Sequence, residues 1–160
     1  MPRYWLFKSD PATFGLDDLE RSPRRTTCWD GVRNYQARNF LRDDVRAGDG
    51  VLFYHSQTRP PAVVAIAEVV RSGYPDPTQF DPNGPGHDPG SPPDEPRWYA
   101  VDIRLRQRLA RPVELPELRA APGLEDMVLL RRGSRLSIQP VTAREWKIVL
   151  RLGGARGESN

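Results

Sequence analysis

Thr27-Cys28-Trp29-Asp30-Gly31-Val32-Arg33-Asn34-Tyr35-Gln36-Ala37-Arg38-Asn39 puts a strand end, a tight turn and a helix start in immediate succession. Arg25 to Trp29 reads as a short strand, and Asp30-Gly31 is a turn pair. Asn34 or Tyr35 then opens a helix that runs to about Asp44, with Ala37, Phe40, Leu41 and Val45 on one face. The junction joins one large aromatic to arginines and asparagines, a mixture that core packing does not require. A flat π-face stacks on a flat partner, while amides and guanidinium groups read hydrogen-bonding edges. Those are the parts needed to hold a nucleobase outside its helix.

Outward from this unit the pattern repeats in kind. Arg3 to Lys8 is a first strand, and Phe14 to Arg21 a short helix ended before Pro23. Gly48-Asp49-Gly50 turns into a strand over Val51 to Ser56, and Ala62 to Val70 suits a strand buried on both faces. Val101 to Leu109 alternates, with Val101, Ile103, Leu105 and Leu109 to one side and Asp102, Arg104, Arg106 and Arg108 to the other. Glu114 to Ala120 and Leu124 to Leu130 are helical candidates, and Leu136 to Pro140 is a brief strand. Thr142 and Glu145 form a capping box for a last helix that fades near Leu152, with 153–160 expected as a disordered tail. Short strands interleave with short helices, without an internal repeat or regular βαβ alternation. The expected class is α+β, a small mixed β barrel with peripheral helices, in one domain over 1–152.

Between the strands, 75–96 is proline- and glycine-rich: Tyr74 to Pro96 holds eight of the chain's 17 prolines. It reads as a mobile internal loop and not as a domain boundary. At 160 residues the chain can bury a core without metal or disulfide staples, and Cys28, its single cysteine, has no internal partner. No run is apolar enough to span a bilayer, and Met1 to Lys8 does not read as a signal peptide, so the expectation is a soluble cytoplasmic protein without a membrane partner. Lys8 and Lys147 are the only lysines among 24 basic residues, and net charge is +3. Arginine suits phosphate and base edges, but a GC-rich genome also favours it, so charge alone points to nucleic acid weakly.

His55 and His87 lie far apart in sequence and Cys28 has no partner at ligand spacing, so no metal and no cofactor is expected. His55 and Ser56 are adjacent, yet neighbours in a strand face opposite sides. The acidic pairs Asp17-Asp18, Asp43-Asp44 and Glu125-Asp126 suit helix ends and solvated faces. Trp29, Asn34, His55, Ser56, Trp98, Arg135 and Ser137 stand at the ends of elements, where binding groups collect. Each also has a plainer role: core packing for Trp29 and Trp98, and a helix cap for Asn34.

The chain resembles the EVE domain family. The match runs through Tyr4-Trp5-Leu6-Phe7-Lys8-Ser9-Asp10-Pro11, Trp29 to Asn39, Phe53-Tyr54-His55-Ser56, Tyr74 to Phe80, Arg97 to Asp102 and Arg135 to Val141. The resemblance implies a PUA-like pseudo-barrel and a non-catalytic reader of modified bases in DNA or RNA, modified cytosine such as 5-methylcytosine above all, by base flipping. It implies a base-binding pocket of Ser9, Trp29, Asn34, His55, Ser56, Trp98 and Ser137, with Arg33, Arg38 and Arg135 on the nucleic-acid backbone or the base. Asp10 stands where family members usually carry glutamate, and Asp81 to Glu95 replaces a stretch richer in lysine, tyrosine and aspartate. Two alternatives stay open: a PUA-related hydrolase acting on a small amide or modified nucleoside, and a module binding a protein or small ligand. Oligomeric state is left open, with a monomer allowed.

Overall fold

Alternation of apolar and polar residues builds one six-stranded mixed sheet, and the computed structural model describes it over residues 2–133 and 135–156. The strands are β1 (Tyr4–Ser9), β2 (Thr26–Trp29), β3 (Gly50–His55), β4 (Ala62–Pro75), β5 (Tyr99–Glu114) and β6 (Ile138–Val141), in spatial order β2-β5-β4-β3-β1-β6. β1 and β3 pair in parallel, and every other neighbouring pair is antiparallel. The helices are α1 (Leu16–Arg21), α2 (Tyr35–Asn39), α3 (Leu115–Ala120) and α4 (Ala143–Leu152). α2 continues as a π-helical turn over Phe40–Asp44. No helix among the described residues is long and apolar enough to cross a membrane.

Each face of the sheet carries its own core. On one face Trp5, Phe7, Phe53, Val101 and Ile103 pack with Leu16 and Leu19 of α1 and Ala37 of α2. On the other, Leu6, Leu52, Val63 and Ile66 pack with Leu118 of α3 and Trp146, Val149 and Leu150 of α4. β4 serves both cores, as its apolar run predicts. The strict alternation expected along β5 does not hold to its end. Val101, Ile103 and Leu105 face the first core, but Leu109 lies in the second. Ala67 pairs with Leu105 while Ile66 pairs with Gln107, so Arg106 is an extra residue that flips the side-chain parity.

The edge strands decide where a site can form. Trp29 from β2 and Ile138 from β6 sit in the same core cluster, so the sheet curls until its edges approach each other. The ladder order ends at β2 and β6, which leaves the barrel open at that seam. This is the α+β architecture expected from sequence, as an open pseudo-barrel.

Three local expectations need correction. Leu124 to Leu130 forms only one 3₁₀ turn, Val128–Leu130. The loop expected to be loose is pinned at its centre: buried Gln79 donates to the carbonyls of Asp76 and Trp98 at 2.7 and 2.9 Å and accepts from the Ser91 hydroxyl at 2.6 Å. A polar hub supplies there what an apolar core does elsewhere. Within the expected tail, the Arg156 N–H donates to Gln107 at 2.9 Å and the Ala155 N–H to the Leu150 carbonyl at 3.0 Å, so 153–156 is tied down; 157–160 lies outside the described residues.

Candidate functional site

The seam between the edge strands opens into a cleft of about 560 Å³. Three stretches line it: Lys8 to Asp10 with Thr13 and Phe14 after β1, Thr27 to Arg33 along and after β2, and Ser137 just before β6. This is within the size range of pockets that take small organic groups. Its aromatic side is Phe14 and Trp29, held edge-to-face at 6.2 Å between centroids. Trp29 is 9 % exposed, with Phe7 at 5.5 Å and Phe53 at 5.7 Å on its inner sides. It is a core residue with one margin on the cleft, and Phe14 is the less buried ring.

Of the residues expected to bind a base, Ser9, Trp29 and Ser137 meet at this cleft, and four do not. Asn34 caps α2, its Oδ1 accepting the Ala37 N–H at 2.9 Å. His55 accepts the Leu16 N–H on Nε2 at 3.1 Å and so serves the start of α1. Ser56 donates to the Ser9 carbonyl at 3.3 Å, and with His55 engaged elsewhere the two do not form a base–nucleophile pair. Trp98 is buried, stacked on Tyr35 at 4.9 Å, and donates from Nε1 to Asp88 at 2.7 Å. Ser9 is buried and donates to the Phe14 carbonyl, which fixes the chain that carries the aromatic wall.

The arginines assigned to the nucleic-acid backbone divide likewise. Arg33 lines the cleft, but its guanidinium is spent: Nη1 donates to Asp76 at 3.0 Å and to the Val32 carbonyl, and Nη2 to Thr78 and the Gly86 carbonyl at 2.7 Å. Arg38 donates to Asn39 and, at 2.6 Å, to the Arg97 carbonyl, and lies over the Tyr35 ring. Arg135 is exposed and makes no hydrogen bond or ion pair among the described residues.

Asp76 organises the cleft rim. It is fully buried and accepts from the Gly31 N–H at 2.8 Å, Arg33 at 3.0 Å, the Thr78 N–H at 2.7 Å and the Thr78 hydroxyl at 2.6 Å. Burial alone would push its carboxyl up, but bonds from Thr78, Gly31 and Arg33 hold it below the usual carboxylate value. Gly31 has φ +79°, a turn that glycine adopts without penalty and that leaves its N–H aimed at Asp76.

Asp30, Phe14, Thr27 and Thr13 line the cleft and were not singled out from sequence. Asp30 was read as half of a turn. Asp30 is exposed at the cleft mouth; partial desolvation there, then the neighbouring Asp76 charge, raises its carboxyl above the usual value, and Arg33 offsets part of this. Burial also raises the Cys28 thiol, which keeps it protonated and unreactive at neutral pH. The lining therefore offers two rings, several hydroxyls, two carboxyls (Asp10 and Asp30) and the Lys8 ammonium.

The EVE domain family pattern matches residues 3–152. Human thymocyte nuclear protein 1 is 43 % identical over 166 residues, covering 93 % of this chain and 73 % of that protein. A crystal structure of human THYN1 protein in complex with 5-methylcytosine containing DNA superposes with a TM-score of 0.87 at 42 % identity, covering 94 % of this chain and 97 % of that one. The YTH domain of a Zygosaccharomyces rouxii protein, in complex with N6-methyladenosine RNA, superposes at a TM-score of 0.52 with 18 % identity over 95 % of this chain and 84 % of that one, a likeness of fold alone.

Proposed function

The chain belongs to the EVE domain family, and from that premise we propose that it is a nucleic-acid-binding module that reads a modified base, 5-methylcytosine in DNA foremost, by accepting the flipped base into the seam cleft. The observation that carries this reading is the THYN1 complex with 5-methylcytosine containing DNA, a chain 42 % identical across nearly the whole length, together with an aromatic–polar cleft in this one.

The cleft chemistry suits the ligand. A base entering the seam meets Phe14 and the margin of Trp29 on its flat or methyl-bearing side. Asp30 is placed at the cleft to accept from an exocyclic amino group, the contact that a carboxylate makes with cytosine N4. Thr27 and Ser137 supply hydroxyl donors for the remaining edge, the Ser9 hydrogen being held by the Phe14 carbonyl. Flipping costs a few kcal/mol of unstacking, so binding needs base contacts inside the cleft and phosphate contacts outside it.

Tryptophan fluorescence titrations with duplexes that differ only in cytosine, 5-methylcytosine or 5-hydroxymethylcytosine test the proposal. Tighter binding of a modified duplex is the expected result. Equal affinity across the panel at low salt would overturn the reader assignment, and a steep salt dependence without base preference would leave phosphate binding only.

A further inference from the structure

Resting on that reading, we propose that the Arg24–Arg25 turn at the head of β2 is a docking point for the phosphate backbone of the nucleic acid whose base enters the cleft. Arg24 has φ 55° and ψ 22°, and Arg25 has φ 53°. Two consecutive left-handed residues that bear a Cβ are unfavourable, and glycine is the residue that adopts this conformation freely. GC-rich codons encode glycine as readily as arginine, so codon bias explains an excess of arginine but not arginine in place of glycine here.

The turn is firmly held. The Arg25 N–H donates to the Ser22 carbonyl at 2.7 Å, and the Thr26 hydroxyl to the Arg24 carbonyl at 3.0 Å. Neither guanidinium makes a hydrogen bond or ion pair among the described residues, and both residues are exposed. On the partner strand β5, three of the four arginines are engaged: Arg104 and Arg106 meet Glu68, and Arg108 meets Asp17 and Glu20.

Position supplies the rest. β2 runs from this turn into the cleft, and Thr27, two residues beyond Arg25, already lines it. Two strand residues span ~7 Å, a distance that places the turn beside a nucleotide inserted at the seam. Exposed Arg135 lies two residues before cleft-lining Ser137 on the other edge, so free cations flank the opening along both edge strands. Arg33 and Arg38, committed to the protein, are replaced in this role by Arg24 and Arg25.

The test measures affinity against salt for the full chain, with 5-methylcytosine and unmodified duplexes. Arg24→Gly with Arg25→Gly keeps the backbone shape, and Arg24→Gln with Arg25→Gln keeps the Cβ atoms. Both doublets are expected to weaken binding of the two duplexes by the same factor. Both should also lower the slope of log K against log salt by about 2, at roughly 0.9 per phosphate contact. The glycine doublet should show no fall in Tm. Arg119→Gln with Arg151→Gln, on the helices of the opposite face, is the charge control and should leave the slope unchanged. An unchanged slope in the turn doublets, or an equal loss in the control, overturns the inference. Absence of any modified-base preference in the unaltered chain is a separate result that strikes only the reader assignment.

Discussion

Replacing Asp76 with alanine removes the acceptor that ties the Gly31–Arg33 turn to the turn at Thr78, and the cost follows from what is left behind. The Gly31 and Thr78 N–H groups and Arg33 lose their partner in a site where Asp76 itself is 0 % exposed. Breaking a buried ion pair from one side costs about 3–5 kcal/mol. The Arg33 side chain is 27 % exposed, so water can reach its guanidinium and the lower figure applies, about 3 kcal/mol. For a chain of this length each kcal/mol shifts Tm by about 2–4 °C, so the expected fall is ~6–12 °C. Asp76→Asn keeps the shape but turns one acceptor into a donor facing donors; it should cost about 1–3 kcal/mol. Urea denaturation reads this as a lower midpoint at unchanged slope. The pH dependence has a defined sign. A carboxyl held below its unfolded value stabilises the fold at neutral pH, and that stability is lost as pH falls below about 4. Asp76→Asn should remove that acid limb. A loss below about 1 kcal/mol for Asp76→Ala would refute the view that this carboxylate holds the cleft rim.

Arg33→Lys should destabilise by about 1–3 kcal/mol, because a lysine cannot serve Asp76, Thr78 and Gly86 together, while the salt dependence of DNA binding stays unchanged. Asn34→Ala should lower stability by about 1 kcal/mol as a lost N-cap, with the ratio of modified to unmodified affinity intact in fluorescence titrations. His55 accepts a backbone N–H and is held below its ordinary value by burial, with Asp17 opposing and Arg108 adding to the shift. Its contribution to stability is therefore fully present above pH ~6.5 and is lost as pH falls below that value through the lowered folded-state value. The difference between the wild-type and His55→Gln urea midpoints should shrink from pH 8 to pH 5, and a constant difference would remove His55 from the account.

Much of the fold could be read from residues, and for identifiable reasons. The β1 and α4 segments carry dense aromatic and capping signals, and their limits fall within a residue or two of expectation. Leu109 was misplaced because a bulge at Arg106 depends on the register with β4, which no local pattern records. The 75–96 loop looks loose because proline and glycine dominate it, whereas a few polar side chains, Gln79, Ser91 and Asp88, hold it through several hydrogen bonds each. Of the expected site residues, Trp29, Ser9 and Ser137 line the cleft, since they stand where β1, β2 and β6 meet the seam. His55 and Asn34 were overread for the opposite reason: a lone polar side chain at an element end serves a helix start as readily as a ligand. Asp30 and Phe14 were passed over because a turn aspartate and a pre-helix phenylalanine carry no mark of a cleft until the edges meet.

The most direct test of base insertion uses duplex DNA with a single 5-methylcytosine ¹³C-labelled at its methyl group, bound to the protein and examined by isotope-filtered NOE spectroscopy. Insertion of the base predicts NOEs from that methyl to ring protons of Phe14 and Trp29, which only an extruded base can reach. NOEs confined to the neighbouring stacked bases, in a complex shown to be saturated, would contradict it.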